Sequence, residues 1–182
     1  FTEGFYTRPR IDTELLRNHS DGLICLSACI AGEIPNYLLY GNYNKAKETA
    51  LEFANIFGKE NFYLELQNHG IKEQLTVNNG LKKISFETGI ELVCTNDVHY
   101  IEKDDAEVQD VVACISTKTT IDDPTRFKMD TDQAYLKTAE EMAELFSYIP
   151  EALENTQEIA EKCNVTFEFG KIKLPRFDIG DR

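Results

Sequence analysis

Three apolar, strand-like runs, each followed by helical sequence, constrain the fold of this chain more than any other feature. They are GLICLSA at 22–28, NFYLELQ at 61–67 and ELVCT at 91–95. A strand followed by a helix, repeated in sequence, predicts parallel strands joined by right-handed crossovers. Three strands cannot close a barrel, and an open sheet would expose its edges. We therefore predict an α/β fold, a parallel sheet or barrel with flanking helices, in which either further strands come from outside these residues or the sheet edges adapt.

Helical periodicity and stop signals predict the segments between and after these runs. The stripe in YNKAKETALEFANIFG, with Gly58 as its stop, indicates one helix, and a helix at 71–87 ends before Gly89. The inner faces are predicted to carry Leu75, Leu81 and Ile84 in the 71–87 helix, and Val108, Val111, Val112 and Ile115 in a helix at 104–116. A polar stretch at 117–133 predicts a long loop, and two short helices follow at 139–146 and 150–163.

Possible metal ligands lie just past the ends of the three predicted strands. They are Cys29 in LSACIAGE, His69 in ELQNHG, and the pair Asp97 and His99 in TNDVHY. The carboxyl ends of parallel strands face one side of a sheet or barrel, so these residues should meet at one edge. Carboxylate oxygen and neutral imidazole together suit Zn²⁺, Mn²⁺ or Fe²⁺. The alternative is that Asp97 caps the next helix and His99 is a surface residue, and that Cys29 belongs to the core.

Glu65 and His69 are candidates for a supporting role at the same edge. A carboxylate on a buried strand needs a partner or an ion, and Glu65 could orient a ligating histidine. His69 could be a ligand, a phosphate contact or a neighbour of the next helix start. The acidic run in the last two helices is interpreted as a solvated face.

Composition narrows the classes of function. A net charge of −13 and a pI near 4.7 disfavour a nonspecific nucleic-acid binder, although bound cations could reverse the local potential in a cleft. Five widely spaced cysteines without a CxxC pair indicate a reduced, cytoplasmic protein. No apolar run approaches membrane-spanning length, so we expect no membrane partner.

Longer segments of the sequence resemble a known family. GLICLSACIAGEIP, FYLELQNHGI, LVCTNDVHYIEKDDAEVQDVVACI, AYLKTAEEM and PEALENTQEIAEKCN closely resemble the bacterial replicative DNA polymerase III alpha subunits, in order from about residue 3 to 178. The resemblance implies the C-terminal part of a PHP (polymerase and histidinol phosphatase) domain at 1–116, a distorted β/α barrel. It implies that residues 117–182 are a loop and helical segment leading towards the polymerase palm.

The resemblance also implies roles for individual residues. Cys29 of LSxC, and Asp97 and His99 of NDVHY, correspond to ligands of a divalent metal (Zn, Mn, Fe or Mg), while Glu65 and His69 correspond to positions near the site, where they would orient a ligand or contact phosphate. The family's HxH motif and its polymerase aspartates are not in these 182 residues. We therefore expect a fragment that binds metal weakly or not at all and is inactive alone.

The resemblance implies that the parent protein is a DNA-directed DNA polymerase of DNA replication, and it allows two functions for this part of the parent. The PHP site could be a metal-dependent phosphoesterase with 3′→5′ exonuclease activity, or the domain could be a structural module that stabilises the polymerase and docks a proofreading exonuclease subunit. Its partners would then be the remainder of the polymerase chain, DNA and that subunit. A free-standing histidinol-phosphate type phosphatase is disfavoured by PEALENTQEIAEKC and LPRF, which match the polymerase's continuation.

Overall fold

A computed structural model describes residues 4–172 and 174 of the chain. These residues form five β-strands and seven α-helices. The strands are β1 (Phe5–Tyr6), β2 (Arg8–Pro9), β3 (Cys25–Leu26), β4 (Phe62–Gln67) and β5 (Leu92–Thr95). The helices are α1 (Thr13–Asn18), α2 (Glu33–Leu39), α3 (Tyr43–Phe57), α4 (Lys72–Thr88), α5 (Ala106–Thr117), α6 (Ala139–Leu145) and α7 (Pro150–Lys162). The predicted approach to the palm at 175–182, with most of LPRF, lies outside the described residues.

The sheet confirms the predicted parallel arrangement. β4 lies between β3 and β5, and both pairings are parallel, with Cys25 opposite Phe62 and Leu64 opposite Leu92. A single parallel bridge between Tyr100 and Tyr135 adds a further pairing beyond β5. With α5 as the connection to that bridge, the strand–helix alternation continues past the third strand. The fold is therefore mixed α/β, with parallel strands and flanking helices as predicted.

The core lies between β4 and the helices α2, α3 and α4. Phe62, Leu64 and Leu66 alternate along β4 and are fully buried, and Phe53 of α3 packs on Phe62 with ring centroids 5.7 Å apart. Alternation of this kind is what a strand with one apolar face against helices requires. Gly89 ends α4 in the left-handed conformation at φ 66°, as the sequence predicts.

The opposite face of β4 is held by the last helix. Tyr63 is buried, and its hydroxyl accepts a hydrogen bond of 2.8 Å from Lys162 Nζ of α7. Asn155 of the same helix donates to the Leu92 carbonyl of β5 at 2.8 Å. α7 is therefore packed on the sheet.

Three local expectations were wrong. Leu75, predicted to face inwards, is 65% exposed. The four apolar residues predicted for the inner face of α5 are also exposed, by 48–74%: Val108, Val111, Val112 and Ile115. The buried residue of α5 is instead Cys114, because the helix turns the face that carries Cys114 and Asp110 inwards. On that face Asp110 accepts a hydrogen bond from Arg126 in the loop that follows the helix. The first strand is also shorter than 22–28, with Leu23 49% exposed. Among the described residues, no helix is both long and apolar enough to span a membrane.

Candidate metal centre

The candidate ligands follow the carboxyl ends of neighbouring parallel strands, as predicted. Cys29 comes three residues after β3, His69 two residues after β4, and Asp97 two residues after β5. Because β3, β4 and β5 run parallel, these turns leave the sheet at the same edge.

Asp97 and His99 form one compact pair at this edge. Asp97 takes the left-handed conformation at φ 43°, which aspartate tolerates better than most residues. His99 Nδ1 lies 2.7 Å from the Asp97 backbone carbonyl and 4.0 Å from Asp97 Oδ1. Both side chains are partly open to solvent, with exposures of 39% for His99 and 46% for Asp97.

The hydrogen bond to the Asp97 carbonyl fixes which ring nitrogen of His99 is available. A carbonyl oxygen can only accept, so Nδ1 carries the proton and donates. Nε2 of the neutral ring then keeps its lone pair. Histidines that bind metals typically donate their other ring N–H to a carbonyl or carboxylate in this way. The chemistry of the pair therefore suits a divalent cation.

Cys29 lies in a separate strained turn. Ala28, directly before it, has a left-handed φ of 66°, and the Cys29 carbonyl accepts a 2.8 Å hydrogen bond from Gly32 N. The Cys29 residue is partly buried. Within the described residues, however, no group of three or more His, Cys, Asp or Glu side chains is close enough to hold a metal ion. The structure brings Asp97 and His99 together, and the assignment of Cys29 to the same ion stays a prediction.

His69 is buried, at 6% exposure, and both of its ring nitrogens are occupied. Nε2 lies 2.7 Å from the Asn96 backbone carbonyl, and Nδ1 lies 2.8 Å from Gln74 Nε2. Neither nitrogen is available to an ion in this arrangement. His69 therefore contacts the backbone just before Asp97, which suits the supporting role considered for it rather than that of a ligand.

Glu65 is hydrogen-bonded within the sheet. Its Oε1 accepts from Gln67 Nε2 at 3.0 Å and from the Thr95 hydroxyl, and its backbone N–H donates to Ser27 Oγ at 2.8 Å. Burial, and then the charge of Glu65, raises the pKa of the Cys25 thiol to about 11. Cys25 therefore stays protonated beside Glu65 at neutral pH.

The segment after the long loop returns to the candidate site. The Thr131 hydroxyl donates to the His69 carbonyl at 2.7 Å, and His99 N donates to the Ala134 carbonyl at 2.8 Å. Asn96 Nδ2 donates to the Tyr135 carbonyl. Sequence reasoning did not single out Gln74, Asn96 or Thr131, although Asn96 lies inside the NDVHY motif.

The first part of the chain, with its parallel β/α layer, is similar to a known class of domain. The family model for the PHP domain matches residues 1–69 of this chain. That match ends at His69, before Asp97 and His99. The proposed division at residue 116 stays a prediction.

Almost the whole chain is similar to the alpha subunits of DNA polymerase III from several bacteria. It is 51% identical to DNA polymerase III subunit alpha of Borreliella burgdorferi, over 98% of this chain and 16% of that protein. It is 45% identical to the subunit of Treponema pallidum and 42% identical to that of Thermus aquaticus, in each case over 98% of this chain and 15% of the relative. The chain is therefore a relative of the DNA polymerase III alpha subunits and corresponds to one segment, about a sixth of their length.

Proposed function

We propose that this chain is the part of a cytoplasmic DNA polymerase III alpha subunit that supplies ligands to a PHP metal centre, and that this centre hydrolyses phosphodiesters as a 3′→5′ exonuclease. The observation that carries the proposal is the Asp97–His99 pair, with the Nε2 lone pair of His99 left available. The parent would act in DNA replication as a nucleotidyltransferase. Its DNA contacts and the remaining strands of its barrel would come from the remainder of the polymerase chain.

The described residues fit part of such a centre. Asp97 offers a hard carboxylate oxygen and His99 a borderline nitrogen, a pair that accepts Zn, Mn or Fe and leaves Mg as a weaker candidate. Cys29 would add a thiolate from the neighbouring turn, and further ligands would come from other parts of the polymerase chain. A bound divalent ion would supply activated water and charge neutralisation on phosphate oxygens. Glu65 would hold the edge of the sheet, and His69 would hold the turn that carries Asp97 and His99. Neither residue is assigned a direct bond to the ion.

The test replaces Asp97 in a full-length alpha subunit that carries this segment. Asp97→Asn keeps the size of the side chain and its tolerance of the left-handed conformation, while it removes the charge. We expect bound metal to fall about tenfold or more and hydrolysis of a 3′-labelled oligonucleotide to fall with it. Asp104→Asn, an exposed change a few residues further on, is the matched control. Unchanged metal content and nuclease activity in Asp97→Asn would end the proposal.

A second candidate function is a structural module that docks a separate proofreading exonuclease subunit. The observation that favours it is the α5 face formed by Val108, Val111, Val112 and Ile115, which is exposed along four consecutive core-spaced positions. Apolar stripes of this length are uncommon on free surfaces and often mark interaction sites. Val111→Glu with Ile115→Glu should abolish co-purification with the exonuclease subunit and leave bound metal unchanged. Leu75→Glu, at a 65% exposed position on α4, is the control. Retained co-purification in the α5 variant would exclude this face.

A further inference from the structure

We infer that Gln74 and His69 form a positioning pair that holds the Asp97–His99 turn in the conformation needed to bind a cation. This inference rests on the proposed metal centre and extends it to two residues that do not touch the ion. It follows from hydrogen-bond directions that leave only one arrangement of protons.

The first step fixes the amide of Gln74. The His69 backbone N–H lies 2.7 Å from Gln74 Oε1, and a backbone N–H can only donate. The oxygen of the amide therefore faces the backbone of His69. The amide nitrogen, which can only donate, then faces His69 Nδ1 at 2.8 Å. Gln74 is 4% exposed, so water has little access to compete for these bonds.

The second step fixes the ring of His69. Nδ1 accepts a hydrogen bond from the amide N–H of Gln74, so Nδ1 carries no proton and the proton of the neutral ring is on Nε2. That proton points at the Asn96 carbonyl, 2.7 Å away. Gln74 thus selects the tautomer of His69 that can donate to the backbone of the ligand turn.

The third step concerns the turn itself. The Asn96 carbonyl belongs to the peptide that joins Asn96 to Asp97, and Asp97 has the left-handed φ of 43°. For a residue with a side chain this region is less favourable than the right-handed one, although aspartate tolerates it better than most. A directed hydrogen bond from a buried ring holds the preceding peptide against that preference. The same turn places the Asp97 carbonyl 2.7 Å from His99 Nδ1, which leaves Nε2 of His99 available.

The experiment compares His69→Asn with His69→Gln in this chain. The amide nitrogen of glutamine reaches the place of imidazole Nε2, so His69→Gln can still donate to the Asn96 carbonyl, whereas the shorter asparagine cannot. Gln74→Leu is the second disruptive variant, because it removes the amide that selects the tautomer. Asn78→Leu is the matched control: Asn78 lies on the same helix, is 7% exposed, and donates to the Gln67 carbonyl at 2.8 Å, away from the ligand turn.

Two readouts separate positioning from stability. The first is the ¹⁵N NMR signature of the His69 and His99 rings, with the backbone coupling of Asp97, measured without metal. We expect Nε2–H for His69 and Nδ1–H for His99 in the wild type. In His69→Asn and Gln74→Leu we expect a mixture of His99 tautomers, and a backbone coupling of Asp97 that no longer corresponds to a left-handed φ. His69→Gln should restore both, and Asn78→Leu should retain them at an equal loss of melting temperature.

The second readout is the affinity for Mn²⁺ alone of a full-length alpha subunit that carries this segment and the same variants. It should weaken about tenfold or more in His69→Asn and Gln74→Leu and recover in His69→Gln. A wild-type full-length subunit that takes up no Mn²⁺ would overturn the proposed metal centre, while the metal-free spectra of this chain would still decide the positioning role. Unaltered Asp97 and His99 spectra in both disruptive variants would overturn the positioning role itself.

Discussion

Gly32→Ala should destabilise this chain and disturb the turn that carries Cys29. A Cβ at Gly32 would lie 2.6 Å from the Ser27 backbone carbonyl oxygen, 3.0 Å from Ala28 Cβ and 3.1 Å from the Cys29 carbonyl oxygen. The first contact is about 1 Å inside the optimal separation of non-bonded atoms, about 3.5 Å. Two of the three obstructing atoms belong to the backbone, so no side-chain rotation can relieve them.

The expected loss follows from what must move. Ser27 N donates to the Tyr63 carbonyl at 3.0 Å, and Ser27 Oγ accepts from Glu65 N at 2.8 Å. A shift of Ser27 therefore weakens the junction of β3 with β4. Overpacking of this kind costs about 1–3 kcal/mol, and we expect a loss of free energy of unfolding of about 2 kcal/mol.

Urea unfolding followed by circular dichroism measures this loss, and the alkylation rate of Cys29 reports on the turn. The control is Gly41→Ala, because Gly41 has a φ of +77° and nothing within 4 Å of an added Cβ. That control should cost stability through backbone strain alone and leave the alkylation rate of Cys29 unchanged. A Gly32→Ala chain within about 0.5 kcal/mol of wild type, with unchanged Cys29 reactivity, would refute the reasoning.

Three further predictions follow from contacts in the fold. Burial raises the pKa of Cys94 to about 12, so at about pH 9 iodoacetamide should modify exposed Cys163 readily and Cys94 only after unfolding; equal rates in the folded chain, read by mass spectrometry, would contradict this. Gly80→Ala, whose Cβ would lie 2.7 Å from Leu38 Cδ2, should lower the melting temperature alone but not in a Leu38→Ala background, where helix propensity favours alanine by about 1 kcal/mol. A chain ended at residue 116 should lose the Nδ1–H signature of His99, whereas deletion of residues 1–11 should retain it in NMR spectra.

Periodicity and stop residues were sufficient to predict the central elements. β4 and β5 lie within one residue of their predicted bounds, and α3 and α4 end at the predicted glycines. These segments are long or strongly patterned, and their apolar residues pack on elements nearby in sequence. The local signal and the tertiary packing therefore agree.

The apolar stripe of α5 shows where such reasoning stops. Core spacing indicates that a helix face is meant to be covered, but it does not identify what covers it. In the described residues the inward side of α5 carries Cys114 and Asp110, and the ion pair of Asp110 with Arg126 holds the following loop, with Nη2 and Oδ2 2.9 Å apart. The four exposed apolar residues of α5 would be covered only by a partner outside the described residues.

The candidate site divides in the same way. Parallel strands placed Asp97, His69 and Cys29 at one edge, and that much followed from the order of strands and helices. The hydrogen bonds of His69 did not follow, because they involve Gln74 five residues later and Thr131, 62 residues away. Hydrogen bonds of this kind leave no periodic trace in a sequence, so the structure was needed to show that both ring nitrogens of His69 already have partners.

The segment at 131–136, after the long loop, is hydrogen-bonded to the turn that carries Asp97 and His99. Asp97 and His99 follow β5, yet the backbone N–H of His99 donates to the Ala134 carbonyl and the side-chain amide of Asn96 donates to the Tyr135 carbonyl. Both acceptors lie beyond the predicted boundary at residue 116. α7, further along, is bonded to β4 and β5. A displacement of the segment at 131–136 would therefore move the turn at 96–99 through these direct hydrogen bonds, and no rearrangement of the hydrophobic core would be needed. If the proposed centre binds metal, its geometry and the position of the chain after the loop are mechanically coupled, so each should respond to changes in the other.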